Sequence, residues 1–129
     1  MYGDEVQDWA AERTRELPGA LLEHPFGPET HVYRVRGKMF MIVSDVTGVP
    51  LTSLKATPAD VVALQEAFPE ITPGYHLNKR HWISLRSGGT LGRQLVEDLV
   101  TESYLLVIEK NLPRSEWPVD PATFGQRPE

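Results

Sequence analysis

The sequence predicts an α+β fold in which an antiparallel sheet is flanked by helices. Three observations support this class: the order of the periodic segments, one continuous apolar run and one clear helix start. The predicted order is helix, three strands, helix, strand, helix. This order is typical of a sheet with helices packed against it.

The first helix is predicted from side chains spaced three and four residues apart, all but one of them apolar. They are Val6, Trp9, Ala10, Arg13 and Leu17. Pro18-Gly19 should end this helix. The segment after it, with two prolines and a glycine before residue 29, is predicted to be a loop.

Three strands are predicted next. Residues 30–36 have the two-residue period of a half-exposed strand, and Gly37-Lys38 is a plausible tight turn. Residues 39–43 are continuously apolar, which predicts a central, buried strand. After a turn at Thr47-Gly48, a short third strand is expected around residues 51–55.

The second half begins with a clear helix start, T-P-A-D at residues 57–60. The threonine can cap the helix, the proline suits its first turn and the aspartate favours its positive end. Pro69 should end the helix. Residues 71–80 are predicted to be irregular, with Pro73-Gly74 as a turn, and residues 81–85 to form a strand.

The last helix has the longest apolar stripe, from Leu91 to Ile108, and should end near Leu112-Pro113. Ser87-Gly88-Gly89-Thr90 is predicted to be a turn whose threonine caps this helix. We therefore place one domain at residues 1–113. The proline-rich tail at residues 114–129 is expected to be extended, docked or disordered.

The composition excludes several classes of protein. The chain has 129 residues, enough for one domain with its own core. It has no cysteine, which excludes a disulfide scaffold, a thiolate metal site and a cysteine nucleophile. No apolar run approaches the roughly 20 residues of a membrane helix. The acidic first residues are unlike a targeting peptide, so we expect a cytoplasmic protein.

Charge is unevenly distributed along the chain. The net charge is −5, yet residues 30–44 and 71–96 together carry +7 and contain no acid, which leaves −12 elsewhere. If these stretches are neighbours in one sheet, an acidic protein has a basic face or edge. Such a surface either contacts nucleic acid or another anion, or consists of solvated charges that prevent strand edges from aggregating.

The densest chemistry lies at residues 73–82, P-G-Y-H-L-N-K-R-H-W. Aromatic side chains can stack on bases while lysine and arginine neutralise phosphate. The alternative is a structural turn, with the tryptophan in the core and the polar groups satisfying the loop backbone. The candidate residues for binding nucleic acid or an anion are Lys38, Tyr75, His76, Asn78, Lys79, Arg80, His81 and Arg86.

Other sites have weaker support. No acid lies between Glu70 and Glu97 to complete a metal site with His76 and His81, so neither a metal nor another cofactor is predicted. Acids recur every four residues from Asp4 to Glu16; they form either a solvated face or a site for a cation or a basic partner. No catalytic constellation is present, so an enzyme is not predicted.

A series of motifs resembles the MmcQ/YjbR-like family of small bacterial proteins. The motifs are R-G-K-M-F at residues 36–40, F-P at 68–69, P-G-Y-H-L-N-K-R-H-W at 73–82, E-S-Y at 102–104 and L-P at 112–113. The resemblance covers residues 5–113, and the ten-residue motif is its specific part.

This resemblance implies an α+β fold similar to that of the bacterial frataxin homologue. It also implies a DNA-binding role through a double-wing arrangement, and it assigns no catalytic role. The matched motif positions are Gly37, Lys38, His76, Asn78, Lys79, His81, Trp82, Ser103 and Tyr104.

We therefore predict that the partner is DNA, contacted by a basic sheet surface. The alternative is a non-enzymatic binding protein for a small anionic ligand or a protein, with residues 76–82 forming a pocket. A third hypothesis, iron or metal handling, rests on the fold analogy and the acidic first helix.

Overall fold

The computed structural model describes residues 4–45, 48–87 and 90–125. Its helices are α1 (Glu5–Thr14), α2 (Pro58–Ala67) and α3 (Arg93–Asn111), with a short 3-10 helix at Arg114–Glu116. Its strands are β1 (Ala20–Glu23), β2 (Thr30–Val35), β3 (Lys38–Ser44), β4 (Leu51–Lys55), β5 (Ile71–Pro73) and β6 (Trp82–Leu85). Within these residues the strands form one antiparallel sheet in the order β1-β2-β3-β4-β6-β5. This confirms the predicted fold class.

The core lies between the sheet and α3, which packs against β2, β3, β4 and α1. The buried face of α3 is shifted from the predicted leucine stripe: Val96 and Val100 are fully buried, whereas Leu95 and Leu99 are half-buried. Tyr104 is buried against Phe40, with ring centroids 5.5 Å apart. α3 therefore covers the central strands of the sheet.

Two strands lie where the sequence predicted none. β1 and β5 are the two edges of the sheet, in segments expected to be a loop and an irregular connection. Three of the four residues of β1 are exposed, and β5 has only three residues and ends in a proline. Neither segment carries the alternating burial that makes a strand recognisable in a sequence.

The turn between β2 and β3 is displaced by one residue from its predicted position. Arg36 and Gly37 both have positive φ, 49° and 83°, and connect Val35 directly to Lys38. A two-residue turn with two positive φ angles matches the twist of an antiparallel hairpin. Lys38 is therefore the first residue of β3 rather than part of the turn.

One predicted helix cap is confirmed and another is wrong. At the start of α2, the Thr57 side chain accepts a hydrogen bond from the Asp60 N–H at 3.3 Å. At the start of α3 the cap position is Gly92, and the Thr90 hydroxyl instead donates to the Glu70 carboxylate at 3.0 Å. Gly88 and Gly89 of the predicted turn there, and Thr47 of the earlier predicted turn, lie outside the described residues.

The described part of the tail is docked on the domain. Trp117, Val119 and Phe124 pack against the core, and the Trp117 indole N–H donates to the Leu112 carbonyl at 3.0 Å. The Phe124 ring lies 6.0 Å from that of Tyr104. Of the three states expected for the tail, residues 114–125 adopt the docked one.

Candidate functional site

One end of the sheet gathers positive charge from four parts of the chain. Lys38 follows the β2–β3 turn, and Lys55, at the end of β4, lies opposite Trp82 at the start of β6. α3 ends at the same place, because the Lys55 ammonium donates to Asn111 Oδ1 at 2.9 Å. We call this region the basic end. Its cations are Arg36, Lys38, Lys55, Lys79, Arg80 and Lys110.

Arg86, which the sequence analysis grouped with these residues, does not lie at the basic end. β6 runs from Trp82 to Leu85, so Arg86 leaves the sheet at the opposite end. There its N–H donates to the Glu70 carbonyl at 3.0 Å. The two acid-free stretches share one sheet, but β4 separates β3 from β6. Cations of both stretches meet only at the basic end, Arg36 and Lys38 from the first and Lys79 and Arg80 from the second.

Ion pairs neutralise other cations of these stretches. Arg34 lies 2.9 Å from Glu23, and Arg93 lies 2.7 Å from Glu12 and 3.0 Å from Glu97. Within the described parts of the chain, no ion pair involves five cations of the basic end: Arg36, Lys38, Lys55, Lys79 and Arg80. Cations without an ion pair are thus concentrated there.

The loop from Gly74 to His81 begins with a close backbone contact. A Cβ added to Gly74 would lie 2.6 Å from the Trp82 Cβ and 3.1 Å from its carbonyl carbon. The Gly74 N–H donates to the Trp82 carbonyl at 3.0 Å. Trp82 itself is buried, as the structural interpretation of this motif expected. The Pro-Gly pair therefore sets the path of the loop.

Tyr75 and His76 form the exposed tip of this loop. The Leu77 N–H donates to the Gly74 carbonyl at 3.3 Å, and His76 has a φ of 56° within that turn. The rings of Tyr75 and His76 lie 4.2 Å apart, and 43% of Tyr75 is exposed. An aromatic surface therefore stands beside the cations, where a planar group of a ligand can reach it.

Asn78 and Lys79 help to hold the loop in shape. Asn78 Oδ1 accepts a hydrogen bond from the Arg80 N–H at 2.9 Å, and the backbone carbonyl of Asn78 accepts one from the His81 N–H at 3.2 Å. The Lys79 ammonium donates to the Gly74 carbonyl at 3.0 Å. Arg80 and Lys38 are exposed. Within this loop, Asn78 and Lys79 therefore have a structural role, whereas the side chain of Arg80 is exposed.

A groove of about 460 Å³ lies beside this loop, between the start of α2 and the second half of α3. Its lining combines apolar side chains with cationic and other polar ones. Its lining residues, which define what we call the groove, are Lys55, Thr57, Pro58, Asn78, His81, Trp82, Leu106 and Lys110. The structure therefore brings two of the predicted site residues, Asn78 and His81, into one concave surface.

Lys55 is the most constrained cation of the groove. Its side chain is half-buried, and this burial lowers the pKa of the ammonium group from its usual value. Partial desolvation weakens the competition of water for a charged group, so an anion bound there interacts with it more strongly than at an exposed lysine.

Metal binding gains no support from the described residues. Nowhere in residues 4–45, 48–87 and 90–125 do three or more histidine, aspartate or glutamate side chains cluster in a way that could hold a metal ion. His24 and His31 contact each other at 2.8 Å between ring nitrogens, far from the β5–β6 loop in the sheet order. No helix in these residues is long and apolar enough to span a membrane.

A family model described as YjbR matches residues 15–106, which include the whole β5–β6 loop and most of α3. The chain belongs to the YjbR family. An Escherichia coli O157:H7 relative, the uncharacterized protein YbdF, is 42% identical over 121 residues, spanning 94% of this chain and 99% of YbdF. The uncharacterized protein YjbR of Escherichia coli K12 is 32% identical over 71 residues, 55% of this chain and 60% of that protein.

Solved structures share the YjbR-family fold. A Deinococcus radiodurans protein with a DUF419 domain has a TM-score of 0.78 and 34% identity, covering 90% of this chain and 87% of that one. A Pseudomonas syringae protein has a TM-score of 0.68 and 26% identity, covering 78% and 96%.

Two of the YjbR-like motif positions, Ser103 and Tyr104, are structural in this chain. The buried Ser103 hydroxyl donates to the Phe40 carbonyl at 2.6 Å and accepts the Lys55 N–H at 2.8 Å. The Tyr104 hydroxyl donates to the Pro18 carbonyl, and burial raises the pKa of Tyr104 to about 12. The E-S-Y motif therefore fastens α3 to the sheet and to the segment after α1.

Sequence reasoning missed Lys55 and Lys110 as site residues of this YjbR-family protein. Both lie outside the two acid-free stretches, so the charge pattern gave no signal for them. The position of Lys55 in the sequence could have indicated its role. Lys55 is the last residue of a strand and lies just before Thr57, which caps α2, so it lies where strand and helix termini form one end of the sheet.

Proposed function

We propose that this YjbR-family protein binds DNA without catalysing a reaction, using the basic end. The observation that carries the proposal is the group of cations without ion pairs that comes from the β2–β3 turn, the end of β4 and the β5–β6 loop. Neutralising phosphates with such cations releases counterions, which is the main source of affinity for a nucleic acid.

Local charge matters more here than the net charge of −5. Three of the acids, Glu5, Asp8 and Glu12, lie on α1, where Glu12 pairs with Arg93. Charges separated by more than about 10 Å are largely screened at ordinary salt concentrations. The affinity for a phosphate backbone at the basic end should therefore depend mainly on the cations closest to it. This affinity should also fall strongly as the salt concentration rises.

The proposed roles follow from exposure. Lys38 and Arg80 contact phosphates directly, Lys79 does so while bracing its loop, and the exposed ring of Tyr75 packs on a base or sugar next to His76. Asn78 positions Arg80 and His81 through the backbone. The proposal implies a cytoplasmic location, which stays a prediction.

The test is fluorescence anisotropy with short labelled duplex and single-stranded DNA over a range of salt concentrations. The double variant Lys38→Gln/Arg80→Gln should bind at least about tenfold more weakly at low salt. Its slope of log affinity against log salt should fall by about one for each phosphate contact removed.

Arg86→Gln is the matched control, because it removes an exposed arginine at the opposite end of the sheet. It should leave affinity and salt slope unchanged. Equal losses in the control and the double variant would contradict a site at the basic end. Absence of DNA binding at tens of micromolar protein, or an affinity that does not change with salt concentration, would contradict the proposed function itself.

A further inference from the structure

The groove has the charge of an anion site. Lys55 and Lys110 line it together with His81 and the Asn78 amide, and none of its lining residues is an acid. Two acids, Asp60 and Glu102, line an adjoining crevice of about 100 Å³, which shares Lys55, Thr57 and Leu106 with the groove. Neither forms an ion pair with Lys55 within the described chain.

The ammonium of Lys55 is held in place without being neutralised. Its partner is the neutral Asn111 amide oxygen at 2.9 Å, so two further donor positions of the ammonium are open to a ligand. Lys110 pairs with its neighbour Glu109 at 3.4 Å, with both side chains more than half exposed. Exposed pairs of this kind are worth about 0–1 kcal/mol, so an anion can compete for Lys110.

Three apolar residues, Pro58, Leu106 and Trp82, line the groove together with the cations. The Gly74 N–H donates to the Trp82 carbonyl at 3.0 Å and holds the backbone of Trp82. The volume of about 460 Å³ lies within the range of about 300–1,000 Å³ that is typical of small-molecule sites. A free inorganic anion would leave these apolar side chains uncovered.

We infer that the groove binds a small organic phosphate. The phosphate lies against Lys55 and Lys110, and the organic body packs on Pro58, Leu106 and the edge of Trp82. His81 and Asn78 supply hydrogen bonds. This inference shares Lys55 and Lys110 with the basic end, but it rests on a different observation, the concave surface that these two cations line.

The test is isothermal titration calorimetry of the full chain with three probes: adenosine monophosphate, inorganic phosphate and adenosine. Adenosine monophosphate should bind and raise the melting temperature. Inorganic phosphate should bind at least about tenfold more weakly because it lacks the apolar body, and adenosine should bind at least about tenfold more weakly because it lacks the charge.

Two variants locate the site. Lys55→Gln keeps a polar group beside Asn111 and removes a half-buried charge, so it should fold normally, yet it should weaken adenosine monophosphate binding at least about tenfold. Arg15→Gln removes an exposed cation at the end of α1 that does not line the groove and should leave that affinity unchanged. The melting temperature of each free variant shows that the fold is intact.

The inference is overturned if adenosine monophosphate gives no binding up to about 10 mM, or if Lys55→Gln binds it as well as the natural chain does. Adenosine binding as tightly as its monophosphate would overturn the assignment of an anion. Inorganic phosphate binding as tightly would overturn the assignment of an organic ligand. DNA affinity is measured with other variants, so failure of either proposal can be told from failure of the other.

Discussion

Gly74 is a glycine because of space rather than backbone freedom. Gly37, in the β2–β3 turn, has a positive φ, whereas Gly74 is not among the described glycines with a positive φ. What Gly74 permits is the approach of its own backbone to Trp82 as the chain reverses after β5. The position of the whole β5–β6 loop, including Arg80 and His81, therefore depends on one missing methyl group.

We expect Gly74→Ala to destabilise the protein by about 1–3 kcal/mol, because the new Cβ meets the Cβ and the backbone of Trp82, which cannot give way easily. Urea unfolding followed by circular dichroism measures the change. Gly92→Ala is the control, because a Cβ there has nothing within 4 Å, and it should cost less than about 1 kcal/mol. Similar losses in both variants would show that the Trp82 contact is not the cause.

At the scale of elements, the sequence predicted the central strands and all three helices but not the sheet edges. β3 and β4 are recognisable because their burial is imposed by neighbours on both sides. β1 and β5 pair with only one strand each, and both are short, with four and three residues. Their pairing is decided by the tertiary contacts of β2 and β6, which a single segment of sequence does not encode.

α3 is joined to the sheet by a hydrogen-bond bridge rather than by packing alone. β3 and β4 are paired at Met41 and Leu54; one residue further on, the Ser103 hydroxyl lies between the Phe40 carbonyl and the Lys55 N–H and bonds to both. One side chain of a helix thus completes the ladder of two strands.

Ser103→Ala should therefore cost about 1–3 kcal/mol, because it leaves a buried carbonyl and a partly buried N–H without their partner. The measurement is again the free energy of unfolding in urea. Ser115→Ala, which removes an exposed hydroxyl, should change stability by less than about 0.5 kcal/mol. A Ser103→Ala protein as stable as this control would contradict the bridge.

At the scale of the whole molecule, the sequence identified the chemically rich loop but not which other residues lie beside it. Lys79, Arg80 and Lys38 are together at the basic end, whereas Arg86 is separated from them by the length of β6. Lys55 and Lys110 join the site from segments without any local charge signal. Which strand ends coincide is a property of sheet order, and the sequence predicted no order.

The stability of the whole molecule should depend on the protonation of His31. Its burial and the adjacent His24 lower the pKa of His31, while Asp45 acts in the opposite direction. In the unfolded chain His31 takes up a proton near pH 6.5, whereas in the folded chain it takes up the proton only at a lower pH. Stability is therefore fully present above that pH and falls as the pH drops through the lower, folded value.

Urea midpoints measured between about pH 7.5 and about pH 5.5 should decrease in the natural chain and decrease less in His31→Gln. His76→Asn, at the exposed tip of the β5–β6 loop, should keep the dependence of the natural chain. An unchanged dependence in His31→Gln would rule out His31 as its source.

Lys55 is held twice by the same helix, through its N–H at Ser103 and through its ammonium at Asn111. These two positions are eight residues apart, about 12 Å along the axis of α3. Any local opening that lifts the last turns of α3 must release both ends of this residue. Occupancy of the groove should thus be visible without an activity assay, as slower amide hydrogen exchange at the C-terminal turns of α3 and the end of β4.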